Sequence, residues 1–463
     1  MEGTSLLRSF VDDHFGGCKL GDRRREKRLV RLAERIVRHP GGTLPDKMND
    51  PASLKALYRL MNQRSVTHEA VLASSRELTL ARMSQVEGTV LVIHDTTELD
   101  YTGLKSIPGL GQLGTGTTRG YLAHNSLAVV AQTREVLGLA YQKLAKRPTV
   151  TKPETRAQRR ARPDRETRLW KAASQAIPAA AAGRLRVELA DRGGDVLEFL
   201  DYLHSQGKSY VVRSKHDRRI ALENSVPTRL HALARQLASC GFKTIDVPAH
   251  AGHAAREAQV SIAWAGVQLL VPVQPRGEVR GLPLSTWVLC VREIDPPAGV
   301  PGVEWILLTN VPIATVEDAQ ERIGWYECRW IIEEYHKALK TGCGIETLQF
   351  TTEAALKPAI ALLSITALFL LSLRNASRHA DAQEQAATQV LPDACVEVLS
   401  LWRYQQRRQD LTVSEFFYAL ARLGGHQNRK SDHPPGWLVL WRGWTKLQSM
   451  MDVAEAIAHE KSG

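Results

Sequence analysis

Cysteine is scarce and scattered. The six residues Cys18, Cys240, Cys290, Cys328, Cys343 and Cys395 contain no C-x2-C pair. That spacing argues against a zinc ribbon and fits reduced thiols in a cytoplasmic protein. The opening stretch MEGTSLLRSFVDDHFGG lacks a basic start followed by an apolar core, so no signal peptide is expected. Long hydrophobic runs are missing too. The most apolar one, Ala359 to Leu373, is short for a bilayer and holds Ser364, Thr366 and Ser372, so a buried helix is expected and a membrane partner is not. Acid is in deficit: 49 Asp+Glu against 61 Lys+Arg leave a net charge of +12. A surplus of that size points to a polyanion, nucleic acid before membrane. With 43% hydrophobic and 24% charged residues, general disorder, collagen and a disulfide miniprotein are excluded. At roughly 150 residues per domain the chain should form about three units.

The first 70 residues read as helical and polar. Asp22 can cap a helix whose basic residues include Arg23, Arg24, Arg25, Lys27, Arg28, Arg31 and Arg35, over an apolar stripe of Leu29, Leu32, Ile36 and Val37. A second helix is expected near Pro51 to Asn62. Thr89 to His94 (TVLVIH) reads as a buried strand ending at Asp95, with Leu127–Gln132 and Val136–Tyr141 as antiparallel partners. Gly103 to Gly120 reads as a loop. Residues 143 to 171 are the most basic segment, and its prolines Pro148, Pro153 and Pro163 break any long helix. A solvated loop and a clamp on a DNA backbone are equal readings of it. Leu185 to Ala190 is a strand leading to Asp191, and Ser209 to Arg213 is another. Residues 214–304 look like a β-rich insertion, with Ala258–Ala263 and Val267–Val273 as separate short runs. Trp305 to Thr309 is a strand, Thr315 to Lys340 mostly helix, Ala382 to Thr388 a polar linker, and the last 70 or so residues helical.

Three acids stand out by context: Asp95 and Asp191 at strand ends, and Glu333 on a helix. Strand ends are where sheet proteins place reactive groups. Carboxylates gathered in one cleft repel unless a divalent cation neutralises them, and Mg²⁺ suits such oxygen ligands with phosphates. Around Glu333 an unbroken helix would put Tyr326, Arg329, Glu333, Lys337 and Lys340 within an arc of roughly 80°. Cys328, Ile331, Ile332, Tyr335, Ala338 and Leu339 would face the core. One carboxylate among three cations and a phenol suits a metal-bound phosphate, and equally a solvent face laced with ion pairs.

The spacing Tyr326-x2-Arg329-x3-Glu333-x6-Lys340 resembles the Y-R-E-K signature of the insertion-sequence-four family of bacterial DDE transposases. Further motifs recur in order: LGDRR at Leu20 to Arg24, Tyr58-Arg59, DTT at Asp95 to Thr97, Asp191-Arg192 with Asp195, VVRSKH at Val211 to His216, Trp305 to Thr309, His336 to Gly342, and ARLGG at Ala421 to Gly425. The resemblance implies an α/β RNase H-like catalytic core, a mixed sheet flanked by helices with a β-rich insertion. It also implies a helical N-terminal domain for DNA-end binding and a helical C-terminal dimerisation domain. The expected bounds are 1–70, 71–375 and 376–463.

Asp95, Asp191 and Glu333 are then the implied catalytic and metal-holding triad for two Mg²⁺ ions, with Mn²⁺ able to replace them. Tyr326, Arg329, Lys340, Lys337, His336, Arg213, Lys215, Arg23, Arg24 and Arg25 are the implied DNA contacts. Trp305 is implied to stack on a base flipped out near the cleaved end, with a buried strand tryptophan as the alternative. The implied partners are double-stranded DNA, as terminal inverted repeats and as target, and a second copy in a homodimeric synaptic complex. The implied location is bacterial cytoplasm at the nucleoid. The implied activity is cut-and-paste transposition through end hydrolysis, hairpin formation and opening, and strand transfer. A metal-dependent nuclease without strand transfer and a catalytically silent DNA-binding regulator remain alternatives. Two features depart from the family pattern: the basic stretch Lys143 to Lys171 replaces a more acidic loop, and His94 stands where an acid is expected.

Overall fold

The computed structural model describes residues 6–114, 116–147, 155, 158, 162, 164–222, 226–247, 255–272, 278–429 and 434–462. The chain divides into two compact units. One holds residues 1–82, 99–120 and 333–463, and the other holds 83–98 and 121–332.

The first unit is helical. Its N-terminal part comprises α1 (Leu6–Phe15), α2 (Arg23–Arg38), α3 (Leu44–Met48), α4 (Pro51–Met61) and α5 (His68–Gln85). Asp22 caps α2 by accepting from the Arg24 N–H, and Asp50 caps α4 through the Ser53 N–H. Leu29, Leu32, Ala33, Ile36 and Val37 form the buried stripe of α2. The C-terminal part holds the long helix α11 (Glu353–Ser377), then α12 (Asp393–Tyr404), α13 (Val413–Leu423) and α14 (Trp437–Ser462). Helix α11 is longer than the apolar run anticipates. By length and composition it could cross a bilayer, but 89% of its apolar window is buried inside the protein. A helix apolar all round needs neighbours on every side, and Phe369 meets Phe10 at 5.2 Å and Trp444 at 5.4 Å. The expected linker at 382–388 is instead two 3₁₀ turns whose Ala382 and Ala387 are buried.

The second unit is built on most of the sheet. Strands β1 (Val90–Asp100), β2 (Gly111–Gln112), β3 (Arg119–Val130), β4 (Val136–Ala145), β5 (Arg186–Ala190), β6 (Ser209–Arg213), β7 (Arg219–Ala221), β8 (Thr228–Arg229), β9 (Gly241–Val247), β10 (Arg256–Leu269), β11 (Leu284–Glu293) and β12 (Glu304–Thr309) form one twelve-stranded sheet. β2 and the adjoining ends of β1 and β3 fall in the first unit. The order is β2-β3-β1-β5-β6-β12-β11-β10-β7-β8, with β4 on β3 and β9 on β10. β1, β5 and β6 run parallel. β12, β11 and β10 then follow antiparallel. This mixed sheet flanked by helices is the architecture of an RNase H-like core.

Several local expectations change. β1 does not stop at Asp95 but runs on to Asp100. The second predicted partner of β1 pairs with β3 instead. The run Ala258–Ala263 and the start of the run at Val267 lie on one 14-residue strand, β10, which passes straight through Gly266 and ends at Leu269; Val273 lies outside the described residues. The β-rich stretch 214–304 extends the core sheet past β12 and includes a short helix, α8 (Leu230–Gln236). One face of the parallel strands packs under α6 (Leu169–Ala176) and α7 (Leu197–Ser205), where Trp170, Phe199, Leu200 and Leu203 cover Ala190, Val212, Ile306 and Leu308.

Candidate active site and nucleic-acid interface

Sheet register alone brings four of the candidate residues together. β1 and β5 pair from Val90↔Arg186 to His94↔Ala190, so Asp95 and Asp191 are the next residues on adjacent strands. Neighbouring strands lie about 4.8 Å apart, and partners across a pair share a face. The two carboxylates therefore stand side by side where β5 ends. Ala190 pairs with Val212, which brings Arg213 level with Asp191. Arg213 pairs with Leu307, and Trp305 lies two residues further along β12 on the same face. Four strands thus present Asp95, Asp191, Arg213 and Trp305 along one edge and one face.

Local chemistry fixes both aspartates. Asp95 Oδ1 accepts from the Thr96 N–H at 2.8 Å, and Asp191 Oδ1 accepts from the Gly193 N–H at 2.7 Å. The turn after Asp191 requires its glycines. A Cβ on Gly194 would sit 2.3 Å from the Ala190 Cβ, and one on Gly193 would sit 2.9 Å from the Trp170 ring. Asp195, just beyond that turn, is buried. It accepts from the Lys215 N–H at 2.6 Å and the His216 N–H at 2.8 Å, and pairs with Arg218. It thereby ties down the loop that follows β6.

Next to the aspartates lies a pocket of about 300 Å³ whose walls include Arg213, Trp305, Tyr326, Arg329 and Trp330. The Trp305 and Tyr326 rings meet edge to face at 5.2 Å and 66°. Burial pushes the Tyr326 phenol up, with nearby Arg329 and Arg213 opposing and Asp191 reinforcing. Burial pushes the Arg213 guanidinium down, against its attraction to the Tyr326 hydroxyl. Arg213 also donates to the Glu304 carbonyl at 2.8 Å. The Arg329 guanidinium lies 6.0 Å from the Tyr326 ring and 5.9 Å from the Trp330 ring. Trp305 is half-buried, not enclosed within the strand. A half-buried indole beside two half-buried guanidinium groups can receive a flat ring carrying phosphate.

The helix bearing the Y-R-E-K residues is not continuous. α9 (Val316–Glu327) ends, Cys328 and Arg329 form a turn, and α10 (Trp330–Lys337) begins. Across the break, N–H groups bond three residues back: Cys328 to Trp325, Arg329 to Tyr326, Ile331 to Cys328 and Ile332 to Arg329. Such bonds wind tighter than an α-helix, so the single 80° arc does not exist. Tyr326 is buried, Glu333 half-buried on α10, and Lys337 exposed. Lys340 lies in a π-helical turn, Ala338–Gly342, and pairs with Glu346 at 3.2 Å. His336 is not a surface cation: it is buried, and desolvation, with Lys340 adding to it, lowers it to about 3.

The N-terminal basic helix is also more selective than its sequence. Arg25 turns inward and donates to Ser65 Oγ at 2.9 Å and the Leu20 carbonyl at 3.4 Å. Arg23 and Arg24 are exposed at the start of the helix, as is Lys215 after β6. Arg24, Lys27, Arg28 and Arg31 form an exposed stripe opposite the buried one. In the basic segment, most of residues 148–161 lie outside the described residues. Several of the described cations are engaged. Arg147 pairs with Glu98 and Glu166, while Arg165, Arg168 and Lys171 converge on the buried carboxylate of Glu198. That part is anchored to the core, not a free loop.

The donor set suits a hard divalent cation. Two carboxylates side by side repel, and oxygen ligands with a phosphate satisfy Mg²⁺-type ions. Among the described residues no three His, Cys, Asp or Glu side chains cluster tightly enough to hold a metal by themselves. The aspartate pair offers oxygen ligands of the kind such an ion takes. All six described cysteines are free thiols.

Two family models match the chain. One, described as Transposase DNA-binding, covers residues 7–66, which hold α1 to α4. The other, described as Transposase DDE domain, covers residues 161–370. The second match spans Asp191, Arg213, Trp305, Tyr326, Arg329, Glu333 and Lys340 and begins beyond Asp95. The chain carries a transposase DNA-binding region followed by a transposase DDE domain, which places it among the DDE transposases.

Proposed function

We propose that this transposase performs cut-and-paste transposition, with Asp95, Asp191 and Glu333 as its metal-holding triad. The observation that carries the reading is the single edge bearing Asp95, Asp191, Arg213 and Trp305, with Tyr326 and Arg329 beside it. Bound divalent cations, two Mg²⁺ or Mn²⁺ in their place, would supply activation of the attacking oxygen and charge stabilisation at phosphorus. The chain's own residues do the remaining work. Arg213, Arg329 and Lys340 neutralise and orient phosphates of the element end. Tyr326 offers its hydroxyl to the same backbone, and Trp305 stacks on a base turned out of the duplex. The exposed stripe of α2 follows the phosphates of the end sequence. End hydrolysis, hairpin formation and opening, and strand transfer are all in-line displacements that one site can serve.

Double-stranded DNA is the partner. A second copy, docked through the C-terminal helices, completes the synaptic complex in this reading. Partly exposed Trp402, Val453 and Ile457 on α12 and α14 are apolar groups such a contact could cover. Work on DNA places the protein in the cytoplasm at the nucleoid.

The test uses linear DNA carrying the inverted repeats that flank the element, with purified protein and Mg²⁺. Wild type should give double-strand breaks with hairpin ends. Glu333→Ala and Asp191→Asn should bind the ends and cut none. Cutting by either variant at the wild-type rate would sink the triad. Breaks that never become joined to target DNA would favour a nuclease.

A further inference from the structure

On the face of the sheet opposite Asp95 and Asp191 lies a buried polar network that the proposed reaction does not use. Glu188 is 1% exposed and His94 is 0% exposed. The His94 Nε2 bonds the Glu188 carboxylate, and the His94 Nδ1 lies 2.8 Å from Ser126 Oγ. A carboxylate only accepts, so Nε2 carries the proton. Ser174 Oγ donates to Glu188 Oε1 at 3.0 Å, and Lys208 Nζ lies 3.4 Å from the same oxygen. Lys208 also donates to the Ser174 carbonyl at 2.5 Å and the Ile177 carbonyl at 3.2 Å. Burial pushes the Glu188 carboxyl up, but the hydrogen bond from His94 and the nearby Lys208 outweigh it and hold the group below its ordinary value.

Stability alone does not call for this arrangement. Replacing a buried ion pair by apolar residues of similar volume is often neutral or stabilising. Its position is more informative. His94 immediately precedes Asp95, and Glu188 lies three residues before Asp191. The register pairs His94 with Ala190 and Val92 with Glu188, so the His94–Glu188 bond runs diagonally across the two strands. Sliding one strand past the other would break it. A second tie lies on the other side of Asp95, where Thr96 Oγ1 meets His124 Nδ1 at 2.8 Å.

We propose that the His94–Glu188–Lys208 network is a positioning device that holds Asp95 and Asp191 at the spacing a shared divalent cation requires. The inference rests on the reading of these aspartates as cation ligands. Removing partners that orient metal ligands typically weakens metal affinity by about 10- to 100-fold.

The experiment compares full-length wild type, Glu188→Gln, His94→Ala, His94→Gln and Ser126→Ala, each bound to an end DNA. Mn²⁺ binding is read by electron paramagnetic resonance, Mg²⁺ dependence by the concentration giving half-maximal cleavage, and folding by Tm. Glu188→Gln and His94→Ala should raise both metal concentrations by about 10- to 100-fold. His94→Gln, whose amide can reach Glu188, should recover most of the loss. Tyr210→Phe, a buried change on the same face, should lower Tm without moving either metal curve. Should Glu188→Gln or His94→Ala fail to fold, Ser126→Ala, which removes a single bond, carries the test with a smaller shift in the same direction. Metal curves that match wild type in folded variants would overturn the inference. A wild type that neither binds Mn²⁺ nor cleaves would instead overturn the reading of the aspartates themselves.

Discussion

Trp305→Ala tests the pocket beside the aspartates. The indole is half-buried and its firmest ring contact is the edge-to-face pair with Tyr326 at 5.2 Å. Losing that pair costs about 0.5–1.5 kcal/mol. The total should stay below the roughly 3–5 kcal/mol lost when a fully buried large aromatic is truncated. The variant should therefore fold with a modestly lower Tm. Stacking of an unpaired base on an aromatic ring is worth about 1–3 kcal/mol. At about 1.4 kcal/mol per factor of ten, end processing should slow by about 5- to 150-fold. The assay follows hairpin ends on a denaturing gel, using an intact substrate and one made abasic at the flipped position. With no base to stack, wild type and variant should converge on the abasic substrate. An equal rate deficit on both substrates would refute the pocket and return Trp305 to a strand-packing role.

Further outcomes follow from other contacts. Arg28→Ala and Arg31→Ala should each reduce the salt dependence of end binding by roughly 0.9 in slope, read by titration at several ionic strengths. Arg25→Ala should leave that slope unchanged and lower Tm, because Arg25 bonds Ser65 and the Leu20 carbonyl. Stability should fall in acid. Burial, aided by Arg82 at His14 and by Lys340 at His336, lowers both histidines from 6.5 to about 3. The unfolded chain therefore binds two more protons between those pH values. Stability present above pH 6.5 should drop as pH falls towards 3, by about 1.4 kcal/mol per unit per histidine. His336→Gln should flatten the Tm profile across that window, and an unchanged profile would contradict a buried neutral ring. Gly194→Ala should destabilise by about 1–3 kcal/mol in denaturant melts, since its Cβ would lie 2.3 Å from that of Ala190.

Sequence by itself determined the elements whose signals are local. The run Val-Leu-Val-Ile before His94 can only be buried extended chain, the cap at Asp22 opens a helix, and the excess of Lys and Arg calls for a polyanion. It also singled out Asp95, Asp191 and Glu333 by what precedes and surrounds them. Tertiary structure decided what depends on residues far apart in the chain. Arg25 and Arg24 are neighbours in one basic run, yet only a Ser65 forty residues away separates an inward arginine from an outward one. The break at Cys328 and Arg329 carries no glycine or proline to announce it. Glu198 gathers three cations that composition alone presents as free. Asp95 and Asp191 stand ninety-six residues apart in sequence, and only the insertion of β5 between β1 and β6 sets them side by side. Periodicity reports which face of an element is apolar; strand order and register, which fix what meets across that face, arise from pairing between distant segments and leave no local mark.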